Sequence, residues 1–535
     1  MSDQRIPVQP VYTPDDLDGF DYEEKLGDPG QFPFTRGPRP PGARTGWIQR
    51  ELSGEGGPAH ANQQLKYLLS HGQMGIDVIG DAPTVGYIDP DHPLARHAVG
   101  TTGVSLCCLD DYRELYRDLP LDEITLSHSL PPVFQVAALH TVALERGISP
   151  ARIRGSVIQA PYYCEDCSYA VHMPFELRLR LAADSIAFCA TEMPKFHAFV
   201  EDTYYISEGG LDGVEEMALG FVELRGIVRE LLSRGIDVDQ FAPRIAILVN
   251  CRMDFFEEIA KIRATRRLYA RMMRDEFGAE DPRSLAVNVS AHTSGLSLTA
   301  QQPANNIVRG TAQALALALA GVQALEVSTF DEAYRTPSEE AHMVGLRTQQ
   351  ILQLESRVTE VADPLGGSYF VESLTDEMEE RIWSMVQEIE ALGDPADLSD
   401  SGWFRRIFDE AAERYSRAIG DGSLPKVGVN VHTIPADQDR LLRDVSERKI
   451  EPFRDRIDQV AAYRRSRDNT AVQAALEALF ESARDRKANL MPPVIEATKA
   501  GATMGEMAGV MRMAYGKPAD PYGAVPPPIA AKVTP

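Results

Sequence analysis

LAVNVSAHTSGLSLTAQQPANNIVRGTAQALALALAGVQALEVSTFDEA, Leu285 to Ala333, reads as strand, turn, long helix, strand. Side chains alternate along a strand, so Asn288, Ser290 and His292 share one face and Val287, Val289 and Ala291 the other. The Ala- and Leu-rich run from about Ala304 to Leu319 predicts a helix buried on one side. The second strand sets Leu325 and Val327 against Glu326 and Ser328. Two strands joined by such a helix make a parallel βαβ unit. Parallel strands are usually apolar on both faces, so the polar faces here predict a polar partner lying against them. Strand ends entering loops are the plainer alternative.

The same alternation extends outward in both directions. Strands are expected near residues 76, 105, 125, 156, 199, 245, 287 and 325, with helices between them, as at Ala59–Gly72, 173–192 and 211–235. About eight such repeats fit an α/β fold, a (β/α)8 TIM barrel. An open doubly wound sheet is the alternative, but its glycine-rich fingerprint is missing. Residues 1–58 read as an extended N-terminal arm, since Phe32–Gly46 holds four prolines in fifteen residues. Residues 59–372 read as the substrate-binding barrel and 373–535 as a C-terminal helical region, with Thr503 as a helix N-cap.

The 535 residues are 44% apolar, ordinary for a globular chain, and carry a formal net charge of −25. That charge argues against non-specific binding to nucleic acid or to an anionic membrane. No apolar run approaches the roughly 18–20 residues that span a bilayer. The acidic N-terminus does not look like a signal peptide, and six cysteines suggest no disulfide framework, so a cytoplasmic, reduced setting is expected.

Catalytic motifs of the common kinds are missing. Cys164 and Cys167 form a lone CxxC without the further ligands a metal site needs. There is no HExxH, no GxSxG and no P-loop. His292 is the best histidine candidate, as a catalytic or a structural residue. Asp331 and Glu332 read as a helix start past a strand end, where acids serve as caps or as site residues. Gly80 and Ala82 end a short strand where another group can approach closely.

Several long blocks resemble one family. They are Phe34–Pro38 (FTRGP), Val238–Ile247 (VDQFAPRIAI), Phe255–Met273, Asp275–Leu285, Thr293–Arg309 (TSGLSLTAQQPANNIVR), Thr329–Pro337 (TFDEAYRTP), Arg347–Ser356, Ala362–Thr375 and Asn489–Met507 (NLMPPVIEATKAGATMGEM). In this order they look like the large, substrate-binding subunit of adenosylcobalamin-dependent acyl-CoA mutases. That is the methylmalonyl-CoA mutase family, and the flavour is the 2-hydroxyisobutyryl-CoA and isobutyryl-CoA mutase type. The resemblance implies a barrel holding substrate in its lumen and a radical 1,2-rearrangement of a short branched or hydroxylated acyl-CoA. The family's cobalt-ligating DxHxxG is not found, which implies a separate cobalamin-binding small subunit and a hetero-oligomer.

Carried over by position, the resemblance assigns Tyr205 to the family's migration-site His, within TYYISEGG, and Glu208 to the carboxylate facing the corrin. NVSAHTSG replaces RTHSQTSG, so Ser290 stands for His and His292 for Gln. EVSTFDEA replaces HTNxxDEA, so Ser328 stands for the adenosine-facing Asn, while Glu332 and Ala333 keep the ribose-facing pair. Gly80 and Ala82 join the cofactor side, and Gln159 matches the substrate-side Gln. Arg39, Arg44, Arg50, Leu52, Asp77 and Arg263 join Ser290 in substrate binding, with Arg39, Arg44 and Arg50 suited to CoA phosphates. The family's carboxylate-reading Arg is not recognisable, which speaks against a methylmalonyl-type acid. A carrier-bound or free acid as substrate, and a catalytically silent relative, are the alternatives.

Overall fold

The computed structural model describes residues 6–40, 46–168, 171–446 and 450–530. Among these residues nine strands are formed: β1 Ile48–Arg50, β2 Leu52–Ser53, β3 Gly75–Ile79, β4 Thr125–Ser129, β5 Arg154–Gln159, β6 Phe196–Asp202, β7 Ile245–Cys251, β8 Asn288–Thr293 and β9 Ala324–Glu326. They hydrogen-bond in the order β1-β9-β8-β7-β6-β5-β4-β3-β2. The ends of that order, β1 and β2, are one extended stretch of chain interrupted only at Glu51. Its first half pairs in parallel with β9, Arg50 opposite Glu326, and its second half with β3, Leu52 opposite Asp77. Counting that stretch once gives eight strands, alternating with helices, and the fold is a (β/α) barrel of the TIM type.

One expected strand is replaced and one unexpected strand is formed. The stretch near residue 105 forms no named strand, and Val104 makes only an isolated bridge to Gly80. Ile48–Ser53, within the stretch read as an arm, is a strand instead. Its side chains alternate weakly in hydropathy, and the prolines upstream mask it. After Glu326 the named elements among the described residues are all helices.

The chain divides into two compact units, residues 1–51 with 200–449 and residues 52–199 with 450–535. In the first, β7 is buried along its whole length and the helix Gly213–Ser233 packs apolar residues such as Phe221 and Leu224. Asn305–Ala320, the helix that joins β8 to β9, ends at Gly321 in the left-handed conformation (φ 72°), where a Cβ would be strained. In the second, Gly155 on β5 lets the backbone of β4 approach: a Cβ there would lie 2.0 Å from the Leu126 carbonyl oxygen. The helices Asn469–Arg484, Met491–Ala500 and Met504–Ala514 belong to this unit. Thr503 caps the last of them, accepting from the Glu506 N–H in a reciprocal capping box.

Candidate active site

In the first unit, polar side chains gather where β6, β8 and β9 run into their loops. Asp202 ends β6 and accepts from the Tyr205 N–H, opening the short helix Thr203–Glu208. That helix carries Tyr204 and Glu208. Ser294 Oγ, Asn250 Nδ2 and the Leu296 N–H donate to the Glu208 carboxylate at 2.6, 2.8 and 2.7 Å. Burial nevertheless pushes Glu208 above the usual carboxylate range.

Gly295 explains how this group stays open. A Cβ on it would lie 3.1 Å from Glu208 Oε2, 3.5 Å from the Tyr204 hydroxyl and 3.8 Å from Glu332 Oε1. Three polar groups therefore converge on one backbone position that carries no side chain. Glu332 accepts from the Thr329 N–H at 2.9 Å. Burial, then the nearby Glu326 and Glu208 charges, raise it to about 8, so it holds a proton at neutral pH and can donate a hydrogen bond. Asp331 and Glu332 lie in a turn, and the next helix starts only at Glu339, which corrects the expected helix start. Thr329 and Asp331 bond to each other, so the turn is closed by its own side chains.

His292 is the other half of the cluster. It stands opposite Glu326 in the parallel register of β8 and β9, with Nε2 2.8 Å from the Glu326 carboxylate. The polar partner expected for the polar face of β8 is thus supplied in part by β9. Tyr204 meets the imidazole edge-on, ring centroids 5.0 Å apart. Burial raises Asp202 to about 7, with His292 acting in the opposite sense. Glu51, between β1 and β2, accepts from Gln349 at 2.8 Å, and burial followed by the Glu326 charge raises it strongly.

The structure brings together Tyr205, Glu208, His292, Ser328 and Glu332 from the sequence-derived candidates. Tyr204, its ring 5.0 Å from His292, is the tyrosine that meets the imidazole; Tyr205 meets Tyr204 edge-to-face at 5.5 Å. Ser328 is tied to Thr293 through both its N–H and its hydroxyl, and also bonds the Tyr204 side chain. Ser290 Oγ reaches only the Ile247 carbonyl, at 3.4 Å, and Ala333 is exposed. Arg50 is buried on β1, while Arg39 donates to the Gly46 carbonyl. Arg263 is not at the site: it is buried in ion pairs with Asp363 and Glu372, acids that lie about a hundred residues later and that no local pattern announces. Arg44 falls outside the described residues, as does the side chain of Cys167.

In the second unit, Leu52 and Asp77 face each other in register, and Asp77 is buried. Gly80 is tightly enclosed, since a Cβ would meet Leu130 and Thr84 at 2.9 Å; the Ala82 N–H is held by Thr102. Gln159 is buried with both amide hydrogens engaged, by Ser185 and by the Ala198 carbonyl. Sequence reading missed Tyr204, Asn250, Glu326 and Glu51. For Glu326 the signal was present, as a charged residue on a β-strand opposite a histidine-bearing one.

A parallel (β/α) barrel with carboxyls raised by burial at its strand ends is the arrangement expected of an enzyme site. The methylmalonyl-CoA mutase family model matches residues 1–517. The 2-hydroxyisobutanoyl-CoA mutase large subunit of Aquincola tertiaricarbonis is 36% identical over 522 residues, 96% of this chain and 91% of that protein. Methylmalonyl-CoA mutases of Rhizobium meliloti and Cereibacter sphaeroides are 36% and 35% identical, over 97% and 96% of this chain and 72% of each relative. The chain belongs to the methylmalonyl-CoA mutase family, whose members are adenosylcobalamin-dependent isomerases, and it is an isomerase of that class.

Proposed function

We propose that this chain is the large subunit of a carbon-skeleton mutase that acts on a short branched or hydroxylated acyl-CoA and works with a separate cobalamin-binding subunit. The observation that carries the reading is the convergence of Glu208, Tyr204 and Glu332 on Gly295. A carboxylate, a phenol and a protonated carboxyl around an open backbone position suit a ligand rich in hydroxyls, as the ribose of adenosylcobalamin is. Glu208 and Glu332 would hold that group. When bound, adenosylcobalamin supplies a carbon-centred radical able to take hydrogen from an unactivated carbon.

The chain's own residues bind, orient and exclude water. Glu326 holds the His292 imidazole through Nε2 and fixes the ring beside the site, where it would face a thioester carbonyl or a substrate hydroxyl. Tyr204 covers one side of that ring and keeps it from rotating. The Glu326 charge, which raises both Glu51 and Glu332, disfavours a further free carboxylate on the substrate and favours a hydroxyl there. The similarity to a 2-hydroxyisobutanoyl-CoA mutase large subunit supports both the substrate class and the separate small subunit.

The test is to combine the chain with a cobalamin-binding subunit and adenosylcobalamin, then add branched and hydroxylated acyl-CoAs. Cob(II)alamin absorbance and an isomerised acyl-CoA with a hydroxylated substrate are expected. Absence of both with acyl-CoAs, carrier-bound acids and free acids alike would overturn the proposal.

A further inference from the structure

Leu296 is bonded on both sides of its backbone. Its N–H donates to Glu208 Oε2 at 2.7 Å. Its carbonyl accepts from Lys426 Nζ at 2.7 Å and from the Tyr415 hydroxyl at 3.1 Å, and Lys426 also donates to Tyr415 at 2.9 Å. Among the described residues, neither Lys426 nor Tyr415 hydrogen-bonds to Glu208, though its charge acts on both. They come from far along the chain: Tyr415 from the helix Trp403–Asp421 and Lys426 from the turn that follows it.

That turn is built to hold one lysine. Asn430 accepts from the Lys426 N–H at 2.6 Å and donates to the Ile419 and Leu424 carbonyls at 2.9 and 2.8 Å. Arg309 holds the next carbonyl, that of Val427, at 2.8 Å. A surface lysine needs no such bracing, because a free ammonium in water keeps its rotamer entropy.

We propose that Lys426, together with Tyr415, is a positioning residue for Glu208: it clamps the Leu296 carbonyl so that the Leu296 N–H and the bare Gly295 stay aimed at the carboxylate. The role rests on the reading of Glu208 as a cofactor-side group, but the clamp itself is a property of the chain alone. Without it, the Ser294–Leu296 turn loses its outer anchor, and Glu208 loses one of its three donors.

The clamp is also titratable. Four groups act on the ammonium. Tyr415 lies beside it on its own side; Arg309 comes from the helix Asn305–Ala320, Arg252 from the end of β7, and Glu208 from across the turn. Burial, then Arg309 and Arg252, lower Lys426 to about 8, with Glu208 opposing them. Raising the pH through that value removes the charge from the bond to Leu296, and charge-assisted hydrogen bonds are about twice as strong as neutral ones.

Amide hydrogen exchange in the cofactor-free full chain tests this without turnover. Protection of the peptide containing Leu296, corrected for intrinsic exchange, is expected to fall several-fold between pH 7 and pH 9. Lys426→Met should lose about tenfold in protection at pH 7 and lose the pH step. Lys426→Arg should restore protection and stay flat to pH 9, which a general packing role would not produce. Should Lys426→Met fail to fold, Tyr415→Phe carries the test, with a smaller loss expected. Wild-type protection at Leu296 in Lys426→Met or in Tyr415→Phe, or a pH step persisting in Lys426→Met, overturns the clamp. Absent turnover with every substrate would instead overturn the proposed function and leave these exchange results standing.

Discussion

Glu332 shows how one residue couples burial to function. In the unfolded chain it ionises near its ordinary 4.5, and in the folded protein burial and its acidic neighbours raise it to about 8. Below about 4.5 the group is neutral in both states and costs nothing. Between the two values only the unfolded chain ionises, so stability is lost as the pH rises, until the folded group also ionises near 8. Glu332→Gln keeps an oxygen for the Thr329 N–H and removes the ionisation. In thermal unfolding of the cofactor-free chain, the variant should nearly match the wild type at pH 4.5 and exceed it by on the order of 4 kcal/mol at pH 8. A difference constant across that range would show that Glu332 does not carry the proton. The stability given up is consistent with a site group, since a residue selected for folding alone would be glutamine or apolar.

At the scale of elements, most of the fold was legible. The βαβ unit Leu285–Ala333 has its helix one residue from the expected limits, because apolar periodicity and a terminal Gly are local signals. Ile48–Ser53 was not legible, being short and flanked by prolines, with its identity set by pairing to β9 and β3. The site was half legible: Glu208 and Glu332 came through motif position, whereas Tyr204 and Lys426 depend on which loops meet. Thr503 was readable as a cap and gives the sharpest elemental prediction. Its hydroxyl accepts from the Glu506 N–H and donates to Asp89 at 2.6 Å, while the Gly505 N–H also reaches Asp89. Thr503→Ala should therefore destabilise the protein by about 1–2 kcal/mol in denaturant unfolding, at the upper end for a lost cap. Thr503→Ser should lose much less; equal losses in the two variants would mean that the methyl group, not the cap, supplies the stability.

For the whole molecule, the second unit is assembled from two stretches of chain separated by some 250 residues, 52–199 and 450–535. Its C-terminal helices are bonded to the first stretch through buried groups. Arg180, almost fully buried, donates to the carbonyls of Ala483, Asp485 and Ala488 at 2.9, 2.7 and 2.5 Å. Asp184 accepts from the Leu490 N–H at 2.9 Å, the Met504 N–H donates to the Cys107 carbonyl, and Arg464 pairs with Asp89 and Asp91. Ending the chain at Lys449 would strip Arg180 of these carbonyls and leave it Asp184 at 3.6 Å, and losing three hydrogen bonds to a charged group costs several kcal/mol. Apolar faces such as that of Val494 and Val510, with the surfaces they cover, would be lost as well. The truncated protein is expected to aggregate or to be cleaved rapidly within residues 52–199, as read by limited proteolysis and mass spectrometry. Supplying residues 450–535 as a separate chain during expression should restore protection, because these bonds need proximity and not a continuous backbone. A truncated chain that resists protease and melts at the full-length temperature would mean that residues 52–199 fold unaided, and that the C-terminal helices contribute no stability to them.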